Sequence, residues 1–447
     1  MKVLIIGGGT VGSASAKSAL AGNDVYIIEK DDTVAETIKN SLPVSVLKGD
    51  ASNPNVLIDA LDRISPDFLF AAVSDDGINL FICDVAKHHL PDVRTISCVR
   101  NPEFLKTEGY EGVDILISPD IITSEKMNRI ALLENAVNYE KLDFDDYALT
   151  TFRIERGHEV VGKTVMDIEL PRDCTIVCIY RGDRAITHIA TTEIHADDRI
   201  VVLGTAEATS EFNELVGIKK DAREFVILGA GQQGLNIARR ITELGSRYFV
   251  KVLDSDLERC REASKSLRKT IVVNGNVIDP QFLKSESIDR ADALISVMDA
   301  DERNLLACMT AMRFGIRKII SRYSIEEYEG VFKYAGIESV IGWHRIISNE
   351  VTRLIRLKDN STVHVMENPG DYFLTFTIDE DSPLKNQFLG DIEVPEGVNI
   401  CGLRRNGTTI FTDLLTKFQL NDEVLIFTHS VESIKLVSLL GRSAPEL

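Results

Sequence analysis

Lys2-Val3-Leu4-Ile5-Ile6-Gly7-Gly8-Gly9-Thr10-Val11-Gly12 is a short apolar run that breaks into a glycine turn and then into a helical pattern. It reads as a buried strand followed by a turn whose glycines let backbone N–H groups approach a pyrophosphate. The helix that follows presents the end of its dipole that favours anions. The pattern returns at Glu224-Phe225-Val226-Ile227-Leu228-Gly229-Ala230-Gly231-Gln232-Gln233-Gly234. One Gly-x-Gly-x-x-Gly is a weak signal, whereas two in one chain with the same sequel are a strong one.

The sequel is an acidic residue at the end of the next strand. Val25-Tyr26-Ile27-Ile28 ends in Glu29, and Val250-Lys251-Val252-Leu253 ends in Asp254. A carboxylate there accepts hydrogen bonds from ribose hydroxyls and repels a 2′-phosphate, which favours NAD(H) over NADP(H). The competing reading is that these acids cap the next helix.

Residues 1 to about 120 alternate apolar strands with helical patterns, as in a doubly wound parallel sheet of the α/β class. From Ser118 to Val137 the spacing of Met127, Ile130, Leu133 and Val137 predicts a helix with one apolar stripe. Residues 148 to 216 change to period-two stretches and short turns, as in a small α+β domain without a phosphate loop. The plan then repeats at a nearly constant offset. Asp50 answers to Asn276, Asn79 to Asn304 and Phe104 to Tyr328, and in the small domain Phe152, Arg181 and Asp198 answer to Phe376, Arg405 and Asp422. A register kept across two kinds of domain means tandem duplication. The expected domains are 1–120 (Rossmann-type), 121–145 (connecting helix), 146–220 (small), 221–342 (Rossmann-type), 343–367 (connecting helix) and 368–447 (small).

Composition limits the function. The 447 residues carry a formal net charge of −19, which argues against direct binding to nucleic acid or an anionic membrane face. No apolar run is long enough to span a bilayer, and Ile6 leads straight into glycines rather than into a signal peptide, so a cytoplasmic protein without direct membrane insertion is expected. Seven scattered cysteines suit a reducing compartment. Cys174 and Cys178 are expected on one face of a strand, as core residues rather than metal ligands.

The chain resembles the family of the Trk potassium-uptake protein A, built from two regulator-of-potassium-conductance units. The likeness rests on Gly7 to Gly12 with Glu29, on Gly49-Asp50-Ala51, on Val73-Ser74-Asp75-Asp76 with Asn79, on Asn101-Pro102-Glu103-Phe104, and on their second-half counterparts. It implies a cytosolic regulatory subunit that binds NAD(H), ATP or ADP, assembles as a homotetramer and gates a membrane potassium transporter. Nucleotide contacts would fall on Gly7, Gly8, Gly9, Thr10, Val11 and Gly12, and on Glu29, Asp50, Val73 and Ser74. In the second half they would fall on Gly229, Ala230, Gly231, Gln232, Gln233, Gly234, Asp254, Asn276, Val297 and Met298. The family's basic residue in the next strand is Arg322 in the second half. The first half has Cys98 there, with Arg100 two residues on and expected on the same face. Matching Val297-Met298 to Val73-Ser74 removes a hydroxyl, and Asn276 removes the charge of Asp50, so the two sites should differ in ligand preference. An equal reading makes Asp50 and Asn276 the N-caps of helices beginning near Pro54 and Pro280.

No Ser-His-Asp order, His-Glu-x-x-His or Gly-x-x-x-x-Gly-Lys motif is present, and the histidines are scattered. A ligand-operated switch is therefore expected rather than an enzyme. The alternative is an NAD-dependent oxidoreductase with an unrecognised catalytic group.

Overall fold

The computed structural model describes residues 1–20, 22–106, 109–142, 146–217, 222–356, 361–365 and 371–429. The ends of the expected connecting segments and the last part of the expected second small domain, 430–447, lie outside the described residues. The described residues form two compact units, one of 1–123 with 342–356, the other of 124–341 with the residues beyond 360.

The first unit begins with β1 (Lys2–Ile6), α1 (Thr10–Ala19), β2 (Asp24–Glu29), α2 (Asp32–Ser41), β3 (Ser45–Lys48) and α3 (Pro54–Ile64). It continues with β4 (Phe68–Ala71), α4 (Asp76–His89), β5 (Arg94–Cys98) and β6 (Ile115–Ile117). The strands pair in parallel in the order β3-β2-β1-β4-β5-β6. A parallel sheet buried on both faces needs strands that are near-continuously apolar, and β4 and, after Lys2, β1 are such strands. Leu4, Ile6, Leu57, Leu61, Leu69 and Ile82 are buried between the sheet, α3 and α4. Each side chain of this kind stabilises the unit by about 1.5–3 kcal/mol.

The helix predicted as far as Val137 stops earlier. α5 spans Pro119–Leu132, and β7 (Ala136–Lys141) follows as a strand of the small domain. The Lys318 ammonium explains the break, because it donates to the carbonyls of Leu133 (3.1 Å) and Ala136 just past the helix end, where the dipole favours a cation. Asn135 N–H is taken at the same point by Asn213 Oδ1, 3.0 Å away.

In the second unit β7, β8 (Ala148–Arg153), β9 (Cys174–Arg181), β10 (Arg184–Ile186) and β11 (Arg199–Gly204) form an antiparallel sheet in the order β10-β9-β11-β8-β7. α6 (Ala206–Val216) covers it, with Phe212 buried against Phe152. A bulge opposite Val201 and Val202 puts an extra residue into β9. That overturns the expected placement of Cys174 and Cys178 on one face, though both are core residues: Cys174 packs with Phe152 and Phe212, while Cys178 turns into a different core with Phe373 and Phe427.

The second large sheet repeats the first. β12 (Glu224–Leu228), α7 (Gln232–Glu243), β13 (Phe249–Asp254), α8 (Leu257–Ser266), β14 (Thr270–Asn274) and α9 (Pro280–Ser285) come first. β15 (Ala293–Ser296), α10 (Asp301–Arg313), β16 (Lys318–Tyr323), α11 (Tyr328–Tyr334) and β17 (Ser339–Gly342) complete it, in the order β14-β13-β12-β15-β16-β17. α12 (Trp343–Arg356) then leaves this sheet and belongs to the first unit, where it packs on α1 and Ser348 Oγ lies 3.3 Å from the carbonyl of Ala14.

Of the expected connecting helix of 343–367, Trp343–Arg356 is helical and Ser361–Val365 is a strand (β18), while 357–360 and 366–367 lie outside the described residues. β18, β19 (Asp371–Thr377), β20 (Val398–Arg405), β21 (Thr408–Phe411) and β22 (Glu423–His429) form the second small sheet, order β18-β19-β22-β20-β21. The two small sheets share one core, in which Leu149, Val177 and Val201 meet Phe373, Leu425 and Phe427. Among the described residues no helix is long and apolar enough to cross a membrane.

Candidate nucleotide-binding site

The first glycine loop has the geometry its sequence predicts. Gly7 continues β1 by donating its N–H to the Ile28 carbonyl (2.9 Å) and then turns at φ +96°, a conformation that favours glycine. A Cβ on Gly12 would stand 1.8 Å from the Gly7 carbonyl oxygen, so only glycine lets α1 start this close to the strand. A Cβ on Gly8 would strike Ile38 at 2.3 Å. Gly9, the N-cap of α1, has open space around it and offers no capping side chain.

Glu29 is 9% exposed, and its carboxylate accepts the N–H of Gly8 (2.6 Å) and of Asp31 (2.8 Å). The reading of Glu29 and Asp254 as helix caps is overturned. α2 is capped by Asp31, which accepts from Thr33 and Val34, and α8 by Asp256, which accepts from Glu258 and Arg259. Asp50 and Asn276 are not the caps of α3 and α9 either, since Asn53 and Asp279 fill those places. Asp50 instead accepts from the Ser52 hydroxyl (2.7 Å) and N–H (3.0 Å), which hold its carboxyl below the usual range.

Over this loop lies a cavity of about 300 Å³, lined by Gly7, Gly9, Thr10, Val11, Glu29, Asp50, Val73, Ser74 and Arg100 among others. Gly8 and Gly12 stand behind it and shape the turn. Lys30 and Ser52 also line it, and so does Trp343, the chain's one tryptophan, brought in at the start of α12. Sequence reading missed Trp343, because nothing local ties residue 343 to residue 9. Its uniqueness in the chain was the one available hint. Cys98 is buried in β5, and burial pushes its thiol up to about 12, so it supplies no charge; Arg100, like Lys30, is a cation at the cavity wall.

Two side chains hold the far rim, Asn79 buried and Asp76 half-buried. Asn79, fully buried, accepts the N–H of Val73 (2.8 Å) and donates to the carbonyls of Val73 (3.0 Å) and Cys98 (2.9 Å). Asp76 accepts the N–H of Arg100 and Asn101. Asn304 and Asp301 repeat both arrangements, with Asn304 on Met298 and Arg322, and Asp301 on Ser324 and Ile325.

That repetition corrects one expected match. Met298, whose N–H goes to Asn304, occupies the place of Val73, and Val297, which donates to Leu228 O as Ala72 does to Ile6 O, occupies that of Ala72. The counterpart of Ser74 is therefore Asp299, and the lost hydroxyl is replaced by a carboxylate. Val297 and Met298 are buried, 4% and 7% exposed.

The second loop keeps the scaffold. Gly229 turns at φ +115°, a Cβ on Gly234 would meet the Gly229 oxygen at 1.9 Å, and Asp254 accepts the N–H of Ala230 at 2.7 Å. Its ligand side differs. Arg259 pairs with Asp299 at 2.8 Å, with its guanidinium 3.9 Å from where a Cβ of Gly231 would stand. Arg322 donates to the buried Gln233 side chain at 2.8 Å. Gln232 starts α7 and shares a 3.4 Å contact with Asn236, and Asn276 Oδ1 accepts from Ile278 N–H. No cluster of three or more metal-ligating side chains occurs among the described residues.

The first cleft fits a nucleotide in its chemistry, with an uncovered helix N-terminus behind glycines, a buried carboxylate at the end of β2 and a basic residue opposite. Comparison with known proteins agrees with this architecture. The TrkA-N domain model matches residues 3–119 and 225–342, and the TrkA-C domain model matches 149–217 and 373–441. The chain is 28% identical over 439 residues to the Trk system potassium uptake protein TrkA homolog 1 of Methanosarcina mazei, covering 96% of this chain and 97% of the relative. It is 25% identical to the Trk system potassium uptake protein TrkA of Vibrio alginolyticus, over 100% of this chain and 99% of that one. Among solved structures, the GsuK channel bound to NAD superimposes with a TM-score of 0.64 at 16% identity, covering 98% of this chain and 78% of that one, a likeness of fold. With both domain models matched twice across most of its length, the chain belongs to the TrkA family of Trk potassium-uptake proteins.

Proposed function

We propose that this chain is a regulatory subunit of a Trk-type potassium uptake system, with no catalytic role of its own, that senses NAD(H), ADP or ATP in the first-half cleft. Its bound state would bias a membrane potassium transporter subunit, to which it docks from the cytoplasmic face. The observation that carries the reading is the cavity over the first glycine loop, with the buried Glu29 among its lining residues. The GsuK channel, similar in fold, has been solved bound to NAD, and this supports the ligand class. A ligand moves such a switch only through unequal affinity for its two states.

Self-association into a homotetramer is part of the proposal, and an apolar face in the second half supports it. Leu306 and Met309 on α10, and Val331 and Tyr334 on α11, are exposed, Tyr334 at 95%. Closed symmetric assembly is the usual fate of such faces.

The test is calorimetric titration of NAD+, NADH, ADP and ATP into the wild type and into Glu29→Ala. Removing a charged acceptor of ribose hydroxyls is expected to weaken binding by about 1–3 kcal/mol at one site per chain. The nicotinamide's near-ultraviolet absorbance is expected to stay unchanged throughout. Unaltered affinity in Glu29→Ala rejects the site, and a change in absorbance rejects the switch in favour of redox chemistry.

A further inference from the structure

Trp343 follows the second large sheet in sequence, yet its side chain lines the first nucleotide cavity. The indole is half-buried, and its Nε1–H donates to Asp120 Oδ1 at 3.3 Å, so one edge of the ring is anchored. Behind it α12 is fixed on α1 through Ser348 and the carbonyl of Ala14. The ring is therefore anchored at its Nε1 edge and carried on a helix packed against α1.

The strand order says which part of a ligand it meets. In a sheet ordered β3-β2-β1-β4-β5-β6 a dinucleotide straddles the crevice between β1 and β4, with its adenosine half on the side of β2, where Glu29 stands. Asp120 follows β6 at the other end of the sheet, and Ser74 and Arg100 follow β4 and β5. Trp343 thus belongs to the half of the cleft beyond the pyrophosphate, where a dinucleotide carries its second nucleoside and ADP carries nothing. We infer that Trp343 is the platform for that second ring and makes the first site select NAD+ over ADP. The oxidised nicotinamide is a flat cation, and an indole face attracts it both by stacking and through its quadrupole.

The inference rests on the nucleotide reading above, and the experiment separates the two. Because the chain has a single tryptophan, its fluorescence reports this cavity alone. NAD+ and ADP are titrated into the full chain by fluorescence and calorimetry, and then into Trp343→Leu and Trp343→Phe. NAD+ is expected to quench the indole emission while ADP binds with little quenching. Trp343→Leu is expected to weaken NAD+ binding about tenfold and ADP binding less than about twofold, with Trp343→Phe retaining most of the NAD+ affinity. Equal losses for both ligands, no loss for either, or equal quenching by ADP overturns the role of Trp343 and leaves the nucleotide site standing. Failure of both ligands to bind the wild type overturns the nucleotide site and this inference with it.

Discussion

Gly8 and Ala230 each donate an N–H to the carboxylate that ends the second strand, and Asn79 and Asn304 each tie the fourth strand to the fifth. Over these matched scaffolds the two clefts part. Where the first half has Val34 and Ser74, the second has Arg259 and Asp299 joined as an ion pair, and where the first has Val11 and Cys98, the second has Gln233 bonded to Arg322. Buried scaffold groups resist change, because each hydrogen bond lost there leaves an unsatisfied partner at about 1–3 kcal/mol. Ser74, Arg259 and Asp299 are exposed and carry no such constraint, whereas the buried Val11 and Cys98 are replaced jointly, by Gln233 and Arg322 bonded to each other.

The largest effect is expected where the two halves agree. Gly12→Ala puts a Cβ against the Gly7 backbone oxygen, which cannot move aside, and should cost about 3 kcal/mol and abolish binding at the first loop. Gly234→Ala should cost as much in the second. Gly9→Ala, facing open space at an unstrained φ, should leave stability within about 0.5 kcal/mol. Urea unfolding of the three variants compares them, and equal costs at positions 9 and 12 would break the assignment of scaffold and ligand sides.

A second contrast is between Arg94 and Lys318, which begin the fifth strand of their sheets. Arg94 is half-buried, with its guanidinium 5.7 Å from the Phe68 ring centre, while Lys318 is buried under the end of α5, and burial pushes its ammonium down to about 7. Between that value and the ordinary lysine range the unfolded chain holds a proton that the folded chain lacks. Stability should therefore rise with pH from about 7 towards 10, by at most about 1.4 kcal/mol per unit. Denaturant unfolding across this range should show the rise in the wild type and not in Lys318→Met. Parallel slopes would mean that the lysine keeps its proton on the carbonyls of Leu133 and Ala136.

The smallest effect on stability sharpens the comparison most. Asp299→Ser restores the first-half residue and releases Arg259. Both partners of the pair are exposed, so stability should change by less than about 1 kcal/mol. Nucleotide affinity at the second loop should rise, because an arginine beside Gly231 becomes free to meet a phosphate. Calorimetry in a Glu29→Ala background isolates that loop, and unchanged binding would show that the ion pair does not govern access.

The duplication, the strand-turn-helix of both loops and the acids at 29 and 254 could be read from the chain alone. They are local: a buried strand needs an unbroken apolar run, a tight turn needs glycine, and a carboxylate at a strand end is visible in one dimension. The end of α5 could not be read, because the ammonium that stops it lies on β16 and the apolar spacing runs on past Leu132. Nor could the separation of Cys174 from Cys178, which depends on one bulged residue in β9. The one-residue slip between Val73 and Met298 became visible only through the buried asparagines that set the register. Tertiary structure alone brought Trp343 to the first glycine loop and laid Arg259 across the second. Contacts between residues so far apart follow from how helices pack and which side chains reach across a cleft, and no spacing along the chain records that.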